Sequence, residues 1–250
     1  MDGKISCRKV RAVPERSGIP ADDPFGGRPP TSHERMTGLP WDASYHDGPA
    51  PWDTGQPQPA IVRVASEGGF AGPVLDAGCG TGENALQVAS LGLPVLGVDV
   101  AETALATARA KAPSVALRLT SLEVDFAAAD ALQLQRLERK FETVVDCGLF
   151  HTFDRSERPG YGASLASVTE HGGTLYVLCF SDEGLDTGPH PVSQEELRSA
   201  SALAMDGMLP HPTGPGSDEI PRRRRRAGLA RDDQTDLDHP VTGMLGRGRA

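Results

Sequence analysis

The chain has 250 residues and a formal net charge of −9, long enough for one α/β domain with a proper core and too short for two beside the tails it carries. That acidic balance leaves no general basic field for a phosphate backbone, so nucleic acid is not expected as a partner. No apolar run reaches the roughly 18 residues of a membrane span, the basic first residues lack a signal-peptide core, and Cys7, Cys79, Cys147 and Cys179 have no CxxC pair and no metal-ligand spacing. A cytoplasmic protein is expected, with no membrane partner, structural zinc or disulfide framework.

Residues 1–35 are crowded with Pro, Gly and charge, a composition expected to give a disordered tail, so ordered structure is placed from Met36. Pro59 can start a helix that Gly68 and Gly69 end. From Pro73, short β-rich runs alternate with helical ones: VLDAG, NALQVASLG, PVLGVDV and AETALATARAKA. This is the pattern of a parallel sheet with crossover helices. Further strands are expected at Glu123–Ala128, Thr143–Asp146 and Thr174–Phe180, with a helix through Gly162–Val168 and a break at His171-Gly172-Gly173. The segment between Lys111 and Glu123 has no clear assignment. Ser193 and Glu196 form a capping box that opens a last helix, whose apolar pattern fades after Leu203. The expected fold is α/β, a Rossmann-like doubly wound sheet of five parallel strands over residues 36–203.

In such sheets ligands bind beyond the carboxyl ends of the strands, so the loops after Leu75, Val98, Ala128, Val145 and Phe180 share one crevice. Asp76, Asp99, Asp130 and Asp146 stand at these ends as a ring of carboxylates. Gly78, Gly80 and Gly82 follow Asp76 in a turn that lets backbone approach a ligand. Asp76 would repel a pyrophosphate at that turn and attract a cationic nucleoside. A nicotinamide-dependent oxidoreductase would share the turn, but with G-x-G-x-x-G spacing instead of this G-x-G-x-G after an acid.

VLDAGCGTGENAL, followed by GVDV, ADAL and VVDCGLF, resembles the class I methyltransferases that use S-adenosylmethionine. WDASYHDGPAPWDTGQPQP, GLFHTFD and LCFSDEG with GPHPVSQEELRSA are similar to the thiopurine-methyltransferase-like and tellurite-resistance-like branch, which acts on small molecules, over about Leu39–Leu203. The resemblance implies that Asp76 and the Gly78–Gly82 turn face the methionine and ribose portion, that Asp99 accepts from the ribose hydroxyls, and that Asp130 accepts from the adenine amino group. Asp130 can equally be the N-cap of ALQLQRL. Trp52 either packs under the first helix or covers the cofactor from a mobile N-terminal segment. His151 follows the strand bordering the methyl-transfer position and is either a general base or an ordinary loop histidine. Cys79 and Cys147 read as small core residues.

Residues 204–250 contain no β-period run and five successive arginines, Arg222–Arg226, so a solvated, disordered tail is expected. The family closes its sheet with two further strands, the last antiparallel, and none is legible here. A shift of reading frame near Ser199–Leu203, leaving the fifth strand with an open edge, is the reading adopted, with a native tail as its rival. If the core is truncated in this way, a non-catalytic or impaired S-adenosylmethionine-binding protein is the alternative to an active methyltransferase with a small-molecule acceptor.

Overall fold

The structure, a computed structural model, describes residues 23–116, 123–182, 190–206, 230–231 and 243–249. Five parallel strands form the body of the sheet: β1 (Val74–Ala77), β2 (Val95–Asp99), β3 (Val124–Ala128), β4 (Phe141–Cys147) and β5 (Thr169–Phe180). Their order is β3-β2-β1-β4-β5, so the chain reverses direction of growth between β1 and β4. In register, Asp76 pairs with Gly97 on one side and Val145 on the other, while Ala77 pairs with Asp146. Crossover helices α3 (Glu83–Ala89), α4 (Glu102–Ala116) and α5 (Arg158–Val168) cover the two faces, with α2 (Pro59–Ser66) preceding β1. Burial on both faces explains why these strands read as near-continuous apolar runs. One core packs Leu75, Val144, Tyr161, Leu165 and Val177, and another packs Ile61, Val74, Val88 and Val145.

From β1 to α6 the element order agrees with the expectation, and the differences within that span lie at boundaries. The break expected at His171-Gly172-Gly173 is an irregularity inside a longer β5: Gly172 has φ +81° and the register with β4 shifts between Phe141 and Thr143. Helix α6 (Gln194–Asp206) opens on the expected capping box, the Ser193 amide donating to Glu196 Oε2 at 3.0 Å and the Glu196 amide to Ser193 Oγ at 3.1 Å. Helix α4 continues through Pro113 to Ala116, and residues 117–122, within the unassigned segment, lie outside the described residues.

Two expectations are corrected. Order does not begin at Met36: helix α1 (Ser32–Thr37) carries its own capping box from Thr31 to Glu34 and docks on the domain. Ser32 Oγ donates to the Thr152 carbonyl at 2.8 Å, and Arg35 pairs with Asp154 and Glu157, each at 2.9 Å. The Pro-, Gly- and charge-rich composition conceals this because the contacts are polar: Glu34 is fully buried against Arg28, with the Thr31 and Trp41 amides also donating to it. Burial alone would raise the Glu34 carboxyl; the Arg28 bond and the two amides bring it below its ordinary value. Residues 1–22 of the expected tail lie outside the described residues.

The second correction concerns the sheet edge. β7 (Gly243–Arg249) pairs antiparallel with β5 over Thr174–Phe180, and β6 (Ala230–Arg231) pairs antiparallel with β7, giving seven strands among the described residues in the order β3-β2-β1-β4-β5-β7-β6. The strand pair expected to be missing is therefore present in the fold. Ladder hydrogen bonds need only backbone donors and acceptors, and Gly243–Arg249 has no proline, so it can pair without the alternating apolar pattern by which strands are recognised. The arginine run Arg222–Arg226 lies outside the described residues.

Candidate functional site

Strand ends bring three of the four predicted carboxylates together. Asp76 is 2% exposed and, among the described residues, neither of its oxygens has a hydrogen-bond partner within bonding distance, although the Ala85 amide lies near enough to favour its charged form. Asp146, fully buried one register step away on β4, accepts the Leu149 amide at 2.9 Å and the Phe150 amide at 3.3 Å through Oδ1, and leaves Oδ2 unpartnered. Burial pushes Asp76 up to about 7, with Asp146 and Asp99 adding to the push. Burial likewise pushes Asp146 up to about 7, against the opposing effect of its amide donors and the nearby Tyr161 hydroxyl. These are two carboxyl groups with spare acceptor capacity, and among the described residues neither makes a salt bridge.

Asp99 is occupied differently. Its Oδ2 accepts the Gly80 amide and its Oδ1 the Ala101 amide, both at 2.9 Å, so it ties the glycine turn to the end of β2. Each carboxylate oxygen has a second lone pair, which leaves room for two more donors. Burial raises the Asp99 carboxyl, and these amides oppose the rise. Asp130 is the N-cap of the 3-10 turn Ala131–Leu137: Oδ1 accepts the Leu132 amide and Oδ2 the Gln133 side-chain amide, each at 2.9 Å. The capping alternative is thus what Asp130 does in the fold.

The three glycines of the turn all have positive φ, +74° at Gly78, +52° at Gly80 and +88° at Gly82, but their surroundings differ. A Cβ at Gly78 would meet Leu149 Cδ2 at 2.8 Å, and one at Gly82 would meet Ala108 Cβ at 2.8 Å and Phe126 Cζ at 2.9 Å. Only at Gly80 is the neighbour a ligand-like polar group, the Tyr45 hydroxyl. Gly78 and Gly82 therefore hold the turn against the protein's own core.

The N-terminal segment closes over this turn. Asp42 accepts the Thr103 amide at 2.7 Å, Thr81 Oγ1 donates to Asp53 at 2.7 Å, and the Gln58 amide donates to Asn84 Oδ1 at 2.8 Å. Trp52, 45% exposed, donates from Nε1 to the Tyr45 hydroxyl at 3.1 Å and presents its ring at right angles to His33, Trp41 and Tyr45. The Tyr45 hydroxyl reaches the turn at Gly80, and Trp52 is joined to it through that hydroxyl. Tyr45 was not singled out in the sequence, although it stands within WDASYHDG, in the same short aromatic segment as Trp41 and Trp52. Tyr161, whose buried hydroxyl has no bonded partner and lies beside Asp146, was also missed; its signal is a polar aromatic at i, i+4 from Leu165 on a buried helix face.

His151 lies in the 3-10 turn Phe150–Thr152, 8% exposed. Its Nδ1 accepts the Phe180 amide at 3.3 Å, which fixes the neutral ring with its proton on Nε2. Burial first, then the positive charge of Arg158 and the nearby His190, bring it down to about 4. A ring so weakly basic, with its lone pair already engaged, does not fit a general base near neutral pH. The thiols of Cys79, Cys147 and Cys179 are all raised by burial, as core residues and not nucleophiles. Among the described residues no group of His, Cys, Asp or Glu could hold a metal ion, and no helix is long and apolar enough to cross a membrane.

A family profile described as a methyltransferase domain matches residues 74–173, which span β1 to the start of β5. The chain is 37% identical over 151 residues to 2-heptyl-1-hydroxyquinolin-4(1H)-one methyltransferase of Mycobacteroides abscessus, a match covering 59% of this chain and 65% of that protein. It is 30% identical to probable thiol methyltransferase 2 of Arabidopsis thaliana, over 62% of this chain and 68% of that one. Among solved structures, one from work on conversion of a disulfide bond into a thioacetal group during echinomycin biosynthesis is 34% identical with a TM-score of 0.60, covering 83% of this chain and 90% of the other. The chain belongs to the class I S-adenosylmethionine-dependent methyltransferases, a family whose relatives here are named for small-molecule acceptors.

Proposed function

We propose that this chain binds S-adenosylmethionine at the carboxyl ends of β1, β2 and β4 and transfers its methyl group to a small, soft nucleophile. The observation that carries the reading is the buried pair of Asp76 and Asp146, with three unpartnered oxygens beside a glycine turn. Unpaired buried acceptors are costly, and a ligand bearing an ammonium group and hydroxyls supplies the missing donors. In this reading Asp76 faces the methionine ammonium, Asp99 uses its free lone pairs for the ribose hydroxyls, and Gly80 allows close approach under Tyr45 and Trp52. Asp146 holds the Leu149–Phe150 turn at the floor of the site, and Asp130 keeps the adenine-side loop in shape through its cap, with its remaining lone pairs for the adenine amino group.

The cofactor supplies an electrophilic methyl on a sulfonium. The protein's part is to align the acceptor about 3–3.5 Å behind that methyl and to exclude water. His151 does not deprotonate the acceptor; it presents an N–H. This suits acidic acceptors that reach the site as anions without a protein base, and a thiol, with an ordinary pKa of about 8.5, supplies such an anion as a minor fraction near neutral pH. The seven-stranded sheet removes the structural reason for preferring an impaired binding protein. Calorimetric titration with S-adenosylmethionine, S-adenosylhomocysteine and NAD tests the reading: the first two should bind and NAD should not. Binding of NAD alone would replace it with the oxidoreductase.

A further inference from the structure

Asp76 and Asp146 leave the sheet on opposite faces. In the β1–β4 register Asp76 pairs with Val145 and Ala77 with Asp146, and partners in a parallel ladder share a face. The cores agree: Val145 packs with Val74 and Val88, whereas Ala77 and Val144 pack with Phe150 and Tyr161. Asp76 therefore belongs to the side covered by α3, and Asp146 to the side covered by α5.

On the α5 side an unmet donor stands beside an unmet acceptor. Asp146 uses Oδ1 for the Leu149 and Phe150 amides, at 2.9 and 3.3 Å, and its Oδ2 has no partner among the described residues. Tyr161 is fully buried, and its hydroxyl, also unpartnered among them, lies beside Asp146. The Tyr161 ring is tilted against Phe150 and Phe153, with centroids 6.1 and 4.7 Å apart, so it packs on the same turn whose amides hold Asp146. Two buried polar atoms left apart each cost free energy, and one bond between them removes both costs. The turn also reaches the cofactor side of the sheet: a Cβ on Gly78 would meet Leu149 Cδ2 at 2.8 Å, so Leu149 lies directly against the first glycine of the cradle.

We propose that Tyr161 is a positioning residue that donates its phenol proton to Asp146 Oδ2 and thereby holds Leu149 against Gly78, keeping the glycine turn in its cofactor-binding shape. The inference rests on the methyl-transfer reading and deepens it, because it extends the cofactor site to a side chain that acts through Asp146 and Leu149 instead of through contact with the cofactor. Asp76 keeps both oxygens for the ammonium, and Asp146 Oδ2 keeps its second lone pair. A hydrogen bond to a carboxylate is stronger than one between neutral groups, so the Tyr161 bond favours ionised Asp146 and opposes the effect of burial.

The test uses the full chain. Tyr161→Phe keeps the ring against Phe150 and Phe153 and removes the donor alone. Calorimetry should show S-adenosylhomocysteine binding weakened by about 10-fold, as expected for one lost bond to a charged group. In an Asp146→Asn background the same substitution should change affinity by less than ~2-fold, since the carboxylate it served is gone. The Asp146 carboxyl carbon, followed by NMR, should ionise at higher pH in Tyr161→Phe than in the parent. Asp76, Cys147 and Cys179 also face Asp146, and the shift should persist when Asp76 is replaced by Asn. If Tyr161→Phe does not fold, the parent chain still decides: its Tyr161 hydroxyl proton should resonate downfield and move upfield in Asp146→Asn. An unmoved Asp146 ionisation, an equal affinity loss in the Asn background, or a Tyr161 proton indifferent to Asp146→Asn would each overturn the proposal. A parent chain that does not bind S-adenosylhomocysteine would sink the methyltransferase reading, and the NMR titration would still decide the Tyr161–Asp146 bond.

Discussion

The Tyr45 hydroxyl oxygen stands 3.3 Å from where a Cβ on Gly80 would be, and among the described residues, Gly80 and its two chain neighbours aside, no other heavy atom lies within 4 Å of that point. Gly80 is thus the one glycine of the turn whose missing side chain leaves space toward the N-terminal segment rather than toward the core. Gly80→Val should abolish S-adenosylhomocysteine binding through steric exclusion and the cost of a branched residue at φ +52°. Gly82→Ala should act on stability first, because its Cβ would collide with Ala108 and Phe126. Calorimetry and thermal melts separate the two: a Gly80→Val protein that binds normally would mean that the turn is not the cradle.

The buried carboxyls predict a pH dependence. Asp76 is raised by burial from 3.8 to about 7, so its protonated form is favoured in the folded apo protein. Its contribution to stability is fully present below the unfolded value and is lost as pH rises through about 7. Asp76→Asn should therefore melt higher than the parent without cofactor, with a gap that widens from pH 5 to pH 7.5. The same variant should bind S-adenosylmethionine more weakly, since a carboxylate facing the ammonium is replaced by an amide. A gap that does not grow with pH would mean that Asp76 is ionised in the free protein.

Asp99→Ala removes a group with two duties. S-adenosylmethionine affinity should fall by about 1.5–3 kcal/mol, the range for hydrogen bonds to a charged group. A loss of stability should accompany it, because the Gly80 and Ala101 amides both lose their acceptor. Asp99→Asn, which retains one acceptor oxygen, should restore part of the stability and little of the affinity. Parent-like affinity in the alanine variant would remove Asp99 from the site.

His151 separates orientation from proton transfer. With Nδ1 engaged and the ring held to about 4, the rate should show no ionisation from His151 between pH 6 and 8. His151→Gln, which keeps an N–H, should lose less than ~10-fold in kcat with a thiol acceptor. A fall of ~10²–10⁴-fold with the pH limb abolished would reinstate the general base.

Legibility followed the chemistry of each segment. The strand runs and the acids after them could be read because apolar stretches bounded by turn residues have a single parallel-sheet interpretation. The fate of each acid could not, since Asp76, Asp99 and Asp130 look alike in sequence and differ only in which amides reach them. The N-terminal dock was hidden by composition, yet Thr31-Ser32-His33-Glu34 has the S/T-x-x-E form of a capping box and was the available signal. The burial of Glu34 was not foreseeable, because it depends on Arg28 folding back to pair with it.

The final prediction concerns the edge of the sheet. β7 occupies the ladder of β5 from Thr174 to Phe180, and Leu245, like Met244 beside it, is a position where β7 is paired on both sides, Leu245 with Leu178 of β5 and Ala230 of β6. Cutting the chain after Asp206 removes both strands and leaves the backbone groups along β5 unpaired, a template for edge-to-edge association. The truncated protein should elute as larger species in size-exclusion chromatography and melt at lower temperature. Leu245→Pro should show the same trend in the full chain, because proline lacks the N–H that either neighbour would use and fixes φ near −65°. Cofactor affinity in whatever monomer remains should be close to that of the parent, since Asp76, Gly80 and Asp99 lie on strands and a turn at the other side of β4. A truncated chain that stays monomeric with an unchanged melting temperature would show that β5 does not need this cover.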